Sequence, residues 1–118
     1  MPIIKRKKTR YIFIIIIALF LITGGTIFMS FFNKKKENTE IIDSYIVENN
    51  YESIIQEKEI LYDWKQGTYY AKVIFEDEPQ NYYEIYVQTN SDNVYVIGFD
   101  KDQNKEITDK NKAKYING

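Results

Sequence analysis

Residues 67–99 read GTYYAKVIFEDEPQNYYEIYVQTNSDNVYVIGF, and the alternation within this stretch decides the fold of the soluble part of the chain. In residues 68–76, Tyr69, Ala71, Val73 and Phe75 fall on one face of an extended strand, because successive side chains point to opposite sides. Residues 77–81, Asp-Glu-Pro-Gln-Asn, form a loop. Residues 82–88 alternate again, with Tyr83, Ile85 and Val87 on one face and Tyr82, Glu84 and Tyr86 on the other. A turn at Ser91-Asp92-Asn93 leads to a strand over 94–99.

Upstream, residues 53–64 offer apolar positions at Ile55, Ile60, Tyr62 and Trp64, interrupted by Glu57-Lys58-Glu59. Lys65-Gln66-Gly67 then turns the chain into the next strand. Four strands joined by such short connections predict an antiparallel meander. Before them, residues 37–49 carry Ile41, Ile42, Tyr45 and Ile46 at helical spacing, with Glu40, Asp43 and Glu48 opposite. Asn49-Asn50 is a helix stop, since asparagine tolerates the left-handed conformation. The expected class is α+β: an amphipathic helix packed on a four-stranded antiparallel sheet, spanning residues 39–100. Tyr45, Tyr69, Tyr83 and Ile85 are the candidates for the helix–sheet core. Residues 101–118, rich in Asp, Lys and Asn, are expected to fray, with a short fifth strand near residues 106–108 as the alternative.

Residues 11–32, from Tyr11 to Phe32, read YIFIIIIALFLITGGTIFMSFF without a charge. At about 1.5 Å per residue this run covers roughly 33 Å, enough for a hydrocarbon layer of about 30 Å. It predicts a transmembrane helix, with the lipid bilayer as its partner. A cleaved signal peptide would have a shorter apolar core ending at a small-x-small site, and this run continues past Gly24-Gly25 to Phe32. Five basic residues within residues 1–10 (Lys5, Arg6, Lys7, Lys8, Arg10) outnumber Lys34, Lys35 and Lys36 on the far side. That bias predicts a cytoplasmic N-terminus and an external C-terminal domain, joined through a polar junction at residues 33–38.

Charge is divided just as sharply. All 17 acidic residues follow Lys36, against 8 of the 16 basic ones, so the chain from Glu37 onward carries a net −9. Such a domain is repelled by nucleic-acid phosphates, and no nucleic acid is expected as a partner. The absence of histidine and cysteine removes the side chains best suited to proton transfer near neutral pH, thiolate chemistry and the commonest metal ligation. No catalytic residue, cofactor or metal site is expected, and the chain is not read as an enzyme.

The basic cluster, the single apolar run, the helix ending at Asn49-Asn50-Tyr51, then GTYYAKVIFEDEP, NYYEIYV and VYVIGFD together resemble the uncharacterised domain-of-unknown-function proteins of low-GC Gram-positive bacteria. Such proteins are short, single-pass and extracytoplasmic. The resemblance implies a place in the cell envelope and carries no mechanism or functional residues with it.

Three constellations remain. Asp100, Asp102, Asn104 and Glu106 alternate as in the start of a calcium loop. However, Lys105 stands where the sharp turn needs glycine, and Asn111 where a bidentate glutamate is required, so a polar β-turn is expected. Glu76-Asp77-Glu78 is expected to stay solvated, its carboxylates pointing different ways. Tyrosines occupy both strand faces, so one face is expected to be half-exposed. Tyr70, Tyr82, Tyr86 and Tyr95 are the candidate surface for an envelope protein or peptide. The alternatives are an accessory subunit acting through its anchor, or an acidic cation-binding protein.

Overall fold

The computed structural model describes residues 2–117, with side chains over residues 9–117. It divides into two compact units, Met1–Asn33 and Lys34–Gly118. A helix, α1 (Pro2–Glu48), is followed by β1 (Ile55–Asp63), β2 (Thr68–Phe75), β3 (Asn81–Val87), β4 (Val94–Asp100) and β5 (Glu106–Ile107).

In the first unit the apolar run is helical throughout, and its large side chains are exposed, Phe20 at 79% and Phe28 at 68%. The hydroxyls of Thr23 and Thr26 donate to the carbonyls of Leu19 and Ile22, both at 2.8 Å, so these two polar groups are satisfied within the helix. An 18-residue window reaches a mean hydropathy of 2.7 with none of it buried in protein. By length and composition this helix can cross a membrane, a test that a signal sequence also passes.

In the second unit α1 places Asn38, Ile42 and Ile46 at four-residue intervals, all buried, so one stripe of the helix meets the sheet. Residues 33–38, expected as a polar junction, are helical. The helix ends as the asparagine pair predicts. Asn50 adopts φ 60°, its N–H donates to Val47, and the N–H of Tyr51 reaches back to Ile46 at 2.9 Å.

The sheet is antiparallel, in the order β1-β2-β3-β4-β5. Five strands form instead of four, because the chain reverses after Asp100 and pairs Glu106 and Ile107 with Phe99 and Gly98. Ala71 faces Ile85, which faces Val96, and Val73 faces Tyr83, which faces Gly98. Ala71, Val73, Tyr83, Ile85 and Val96, with Phe75 and Val87, form one buried cluster with Ile42 and Ile46 of α1. Tyr83 and Ile85 are core as expected; Tyr45 packs against the cluster from its edge, half-buried. Tyr69 lies outside the cluster and packs on Tyr62, 4.8 Å between ring centres.

The tail does not fray. Ala113 is fully buried and Tyr115 nearly so, its ring stacked on Phe75 at 3.8 Å between centres. Gly98 makes room for it, since a Cβ there would stand 3.0 Å from Ile116 Cγ2 and 3.1 Å from Ala113 Cβ. The helix and the tail therefore both contribute to the core on the same side of the sheet.

Candidate functional site: the open sheet face

Strand alternation places the other half of the side chains on the opposite face, away from the helix-side core. Ile74 and Tyr86 are buried there without belonging to that core cluster. Residues paired across neighbouring strands share a face, and the register gives two full rows. The first runs Leu61, Tyr70, Tyr86, Tyr95; the second runs Glu59, Lys72, Glu84, Ile97. Beyond them Tyr82 pairs with Phe99, which pairs with Glu106.

The first row is a stack. Tyr70 and Tyr86 lie 4.7 Å apart at 15°, and Tyr86 and Tyr95 5.2 Å apart at 6°. Tyr82 stacks on Phe99 at 5.0 Å, with the Lys72 ammonium 4.6 Å from the Tyr82 ring centre. All four tyrosines singled out from the sequence thus lie on one face. Tyr86 departs from the expectation of an accessible contact: sandwiched between Tyr70 and Tyr95, it is only 5% exposed and supports its neighbours. Phe99, Ile97, Leu61 and Glu84 belong to the same surface and were not singled out. For Ile97 and Phe99 the signal was their parity with Tyr95 along the strand.

Polar atoms fix the stack. The Tyr86 hydroxyl lies 3.1 Å from Glu84 Oε1 and 3.2 Å from Asp63 Oδ2, and Tyr95 donates to Gln66 Oε1 at 2.9 Å. Burial, then the adjacent Glu84, raises the pKa of Tyr86 far above the usual phenol range, and burial raises Tyr70 and Tyr82 as well. These phenols stay neutral donors at physiological pH. Burial also raises the Glu84 carboxyl, opposed by the hydrogen bond from Tyr86. Glu57, Glu59, Asp63, Glu84 and Glu106 stand on this face against Lys72 and Lys101, so flat aromatic rings are bordered mostly by carboxylates. Such a surface can stack on apolar or aromatic groups and attract cations.

The remaining sequence candidates are structural. Asp100 Oδ1 accepts the N–H groups of Asp102 and Gln103 at 2.8 and 3.3 Å, and Asn104 takes φ 53°, so this segment is the polar turn between β4 and β5. No group of three or more metal-ligating side chains gathers among the described residues. The acidic loop is not uniformly solvated. Glu78 is buried, accepting the hydroxyl of Tyr83, the amide of Asn81 at 3.0 Å and the N–H of Lys114 at 3.2 Å. Asp77 takes the Tyr115 hydroxyl at 2.7–2.8 Å and pairs with the Lys114 ammonium. The two carboxylates clasp the tail. A groove of about 570 Å³ lies between the second unit's stretch of α1 and the β3–β4 turn, lined by Glu40, Ser44, Tyr45, Glu48, Asp92 and Val94 among others, with its acids dispersed.

No curated protein and no solved structure matches the chain. Residues 6–85, from the basic cluster through most of β3, match a family described as a protein of unknown function, DUF3139. The chain belongs to that family.

Proposed function

We propose that this protein is a membrane-anchored, non-enzymatic interaction module of the cell envelope, which presents its open sheet face to a basic polypeptide segment outside the cell. One observation carries the reading: the Tyr70–Tyr86–Tyr95 stack and the Tyr82–Phe99 pair lie together on the side of the sheet away from the helix-side core, bordered by carboxylates. Half-exposed aromatics held on a sheet suit a contact surface, where they give area at little cost in conformational entropy. Five carboxylates against two lysines favour a partner rich in Lys or Arg, which also stack well on phenol rings.

The sheet edge is the weaker candidate. The exposed edge strand β1 carries Glu57-Lys58-Glu59 and a bulge between Ile55 and Glu57, features that discourage strand addition. The anchoring part of the proposal is supported by the exposed apolar helix and by the excess of basic residues before it.

The test is photo-cross-linking in intact cells, with a photoreactive residue at Tyr70, Tyr82 or Tyr95 and, as controls, at the exposed Glu52 and Gln103. A discrete adduct from the face positions alone, weakened by salt, is expected. Equal adducts at all positions, or none from the face, would refute the reading. Replacing residues 11–32 with an unrelated membrane helix should leave the adduct intact; its loss would favour a subunit acting through the anchor.

A further inference from the structure

The single tryptophan of the chain stands at the tip of the β1–β2 hairpin, 83% exposed. On the alternation of β1 it was expected within the strand, but β1 ends at Asp63. The Asp63 carboxylate accepts the N–H groups of Lys65 and Gln66 at 2.9 and 3.2 Å, and the Gly67 N–H closes on the Asp63 carbonyl at 2.8 Å. Gly67 takes φ 65°, which a side chain would resist. Trp64 leans edge-on against Tyr62 at 4.7 Å, and Gln66 is held by Tyr95. The turn is therefore rigid, and the exposure of the indole is built in.

The same end of the second unit carries its basic residues nearest the apolar run. Asn38 Oδ1 accepts the Thr68 hydroxyl at 3.0 Å and the Tyr69 N–H at 3.1 Å, pinning the hairpin to the start of this unit's helix. The Lys35 ammonium lies 6.0 Å from the Tyr69 ring centre. Lys34 and Lys36 flank Lys35 in the sequence and Lys65 stands in the hairpin turn, on a chain that carries a net negative charge from Glu37 onward. Only Asn33 separates Lys34 from Phe32, the last apolar residue, and two residue steps cover about 7 Å at full extension.

We infer that the β1–β2 hairpin is a membrane-surface contact: Trp64 enters the headgroup layer of the bilayer that holds α1, while Lys34, Lys35, Lys36 and Lys65 meet anionic lipid phosphates. The inference rests on the reading of α1 as an uncleaved anchor. A headgroup layer lies between the hydrocarbon and water, and indole, with an apolar body and one N–H donor, partitions there. Lysines beside it are attracted to an anionic surface, whereas the acidic remainder of the domain is repelled. The hairpin thereby restricts the tethered domain, while the open face keeps its own separate surface for a partner.

Because Trp64 is the chain's only tryptophan, its fluorescence reports this site alone. The full chain is reconstituted in zwitterionic vesicles, with and without phosphatidylglycerol, and in vesicles of brominated lipid. Alkaline carbonate washing comes first. Retention of the chain establishes the anchor, and release would overturn the anchor reading and the inference with it. With the chain retained, Trp64 emission should shift to shorter wavelength, lose intensity against brominated lipid, and do so more strongly with phosphatidylglycerol. The K35Q/K65Q double variant should lose that lipid dependence. Emission of a water-exposed indole, unquenched by brominated lipid in a retained chain, would overturn the inference, as would shielding that changes only with protein density.

Discussion

Tyr83 is fully buried, and its hydroxyl is committed to the carboxylate of Glu78, itself buried, with the N–H of Tyr115 3.5 Å away. Removing only that hydroxyl leaves a buried carboxylate short of a donor. Tyr83→Phe is therefore expected to destabilise the domain by about 1–3 kcal/mol, far more than Tyr82→Phe on the open face, read as the difference in urea midpoint at constant slope. Equal midpoints would show that Glu78 does not depend on this bond. Asp77 supplies a pH-dependent counterpart. The Lys114 ammonium, followed by the Tyr115 hydroxyl, holds its carboxyl below the usual value of 3.8. A depressed carboxyl contributes stability that is present above its unfolded value and lost as pH falls through its folded one. Amide exchange in residues 109–117 should therefore accelerate relative to the sheet only below about pH 4. In Asp77→Asn the extra acid sensitivity should vanish, and an unchanged profile would remove Asp77 from the clasp.

At the scale of elements, the tail is the part of the fold whose role is least expected from its composition. Tyr115 is stacked on Phe75 and is part of the core, so Tyr115→Ala should cost about 3 kcal/mol and lower Tm by more than roughly 10 °C. An unchanged Tm would mean that the tail is dispensable after all. The helix and β2–β4 were legible because their signals are local: Ile42 and Ile46 a helical turn apart, Ala71, Val73 and Phe75 two apart. Tail docking is not local. It depends on Gly98 leaving a gap 15 residues upstream of Ala113 and on carboxylates at Asp77 and Glu78, so residues 101–118 read by themselves look solvated. The candidate face divides in the same way. That Tyr70, Tyr82, Tyr86 and Tyr95 share a side follows from parity plus strand register. The enclosure of Tyr86 required knowing which rings flank it, and the exposure of Trp64 required knowing that Asp63 caps the turn.

For the whole molecule, one chain combines an apolar helix preceded by basic residues with an acidic domain whose aromatic face lies away from its core. The proposed role requires that domain to lie outside the cell while the helix holds it to the membrane. The chain has no cysteine, so a single introduced thiol gives an unambiguous report. Asp92 suits this purpose: it is exposed in the β3–β4 turn, whereas the neighbouring Ser91 is half-buried and accepts the N–H of Asn93. Intact cells producing the full-length Asp92→Cys chain would be treated with a membrane-impermeant maleimide, with and without prior lysis. The account predicts full labelling of the membrane-associated chain in intact cells, with no gain on lysis. Labelling only after lysis would place the domain in the cytoplasm and contradict it.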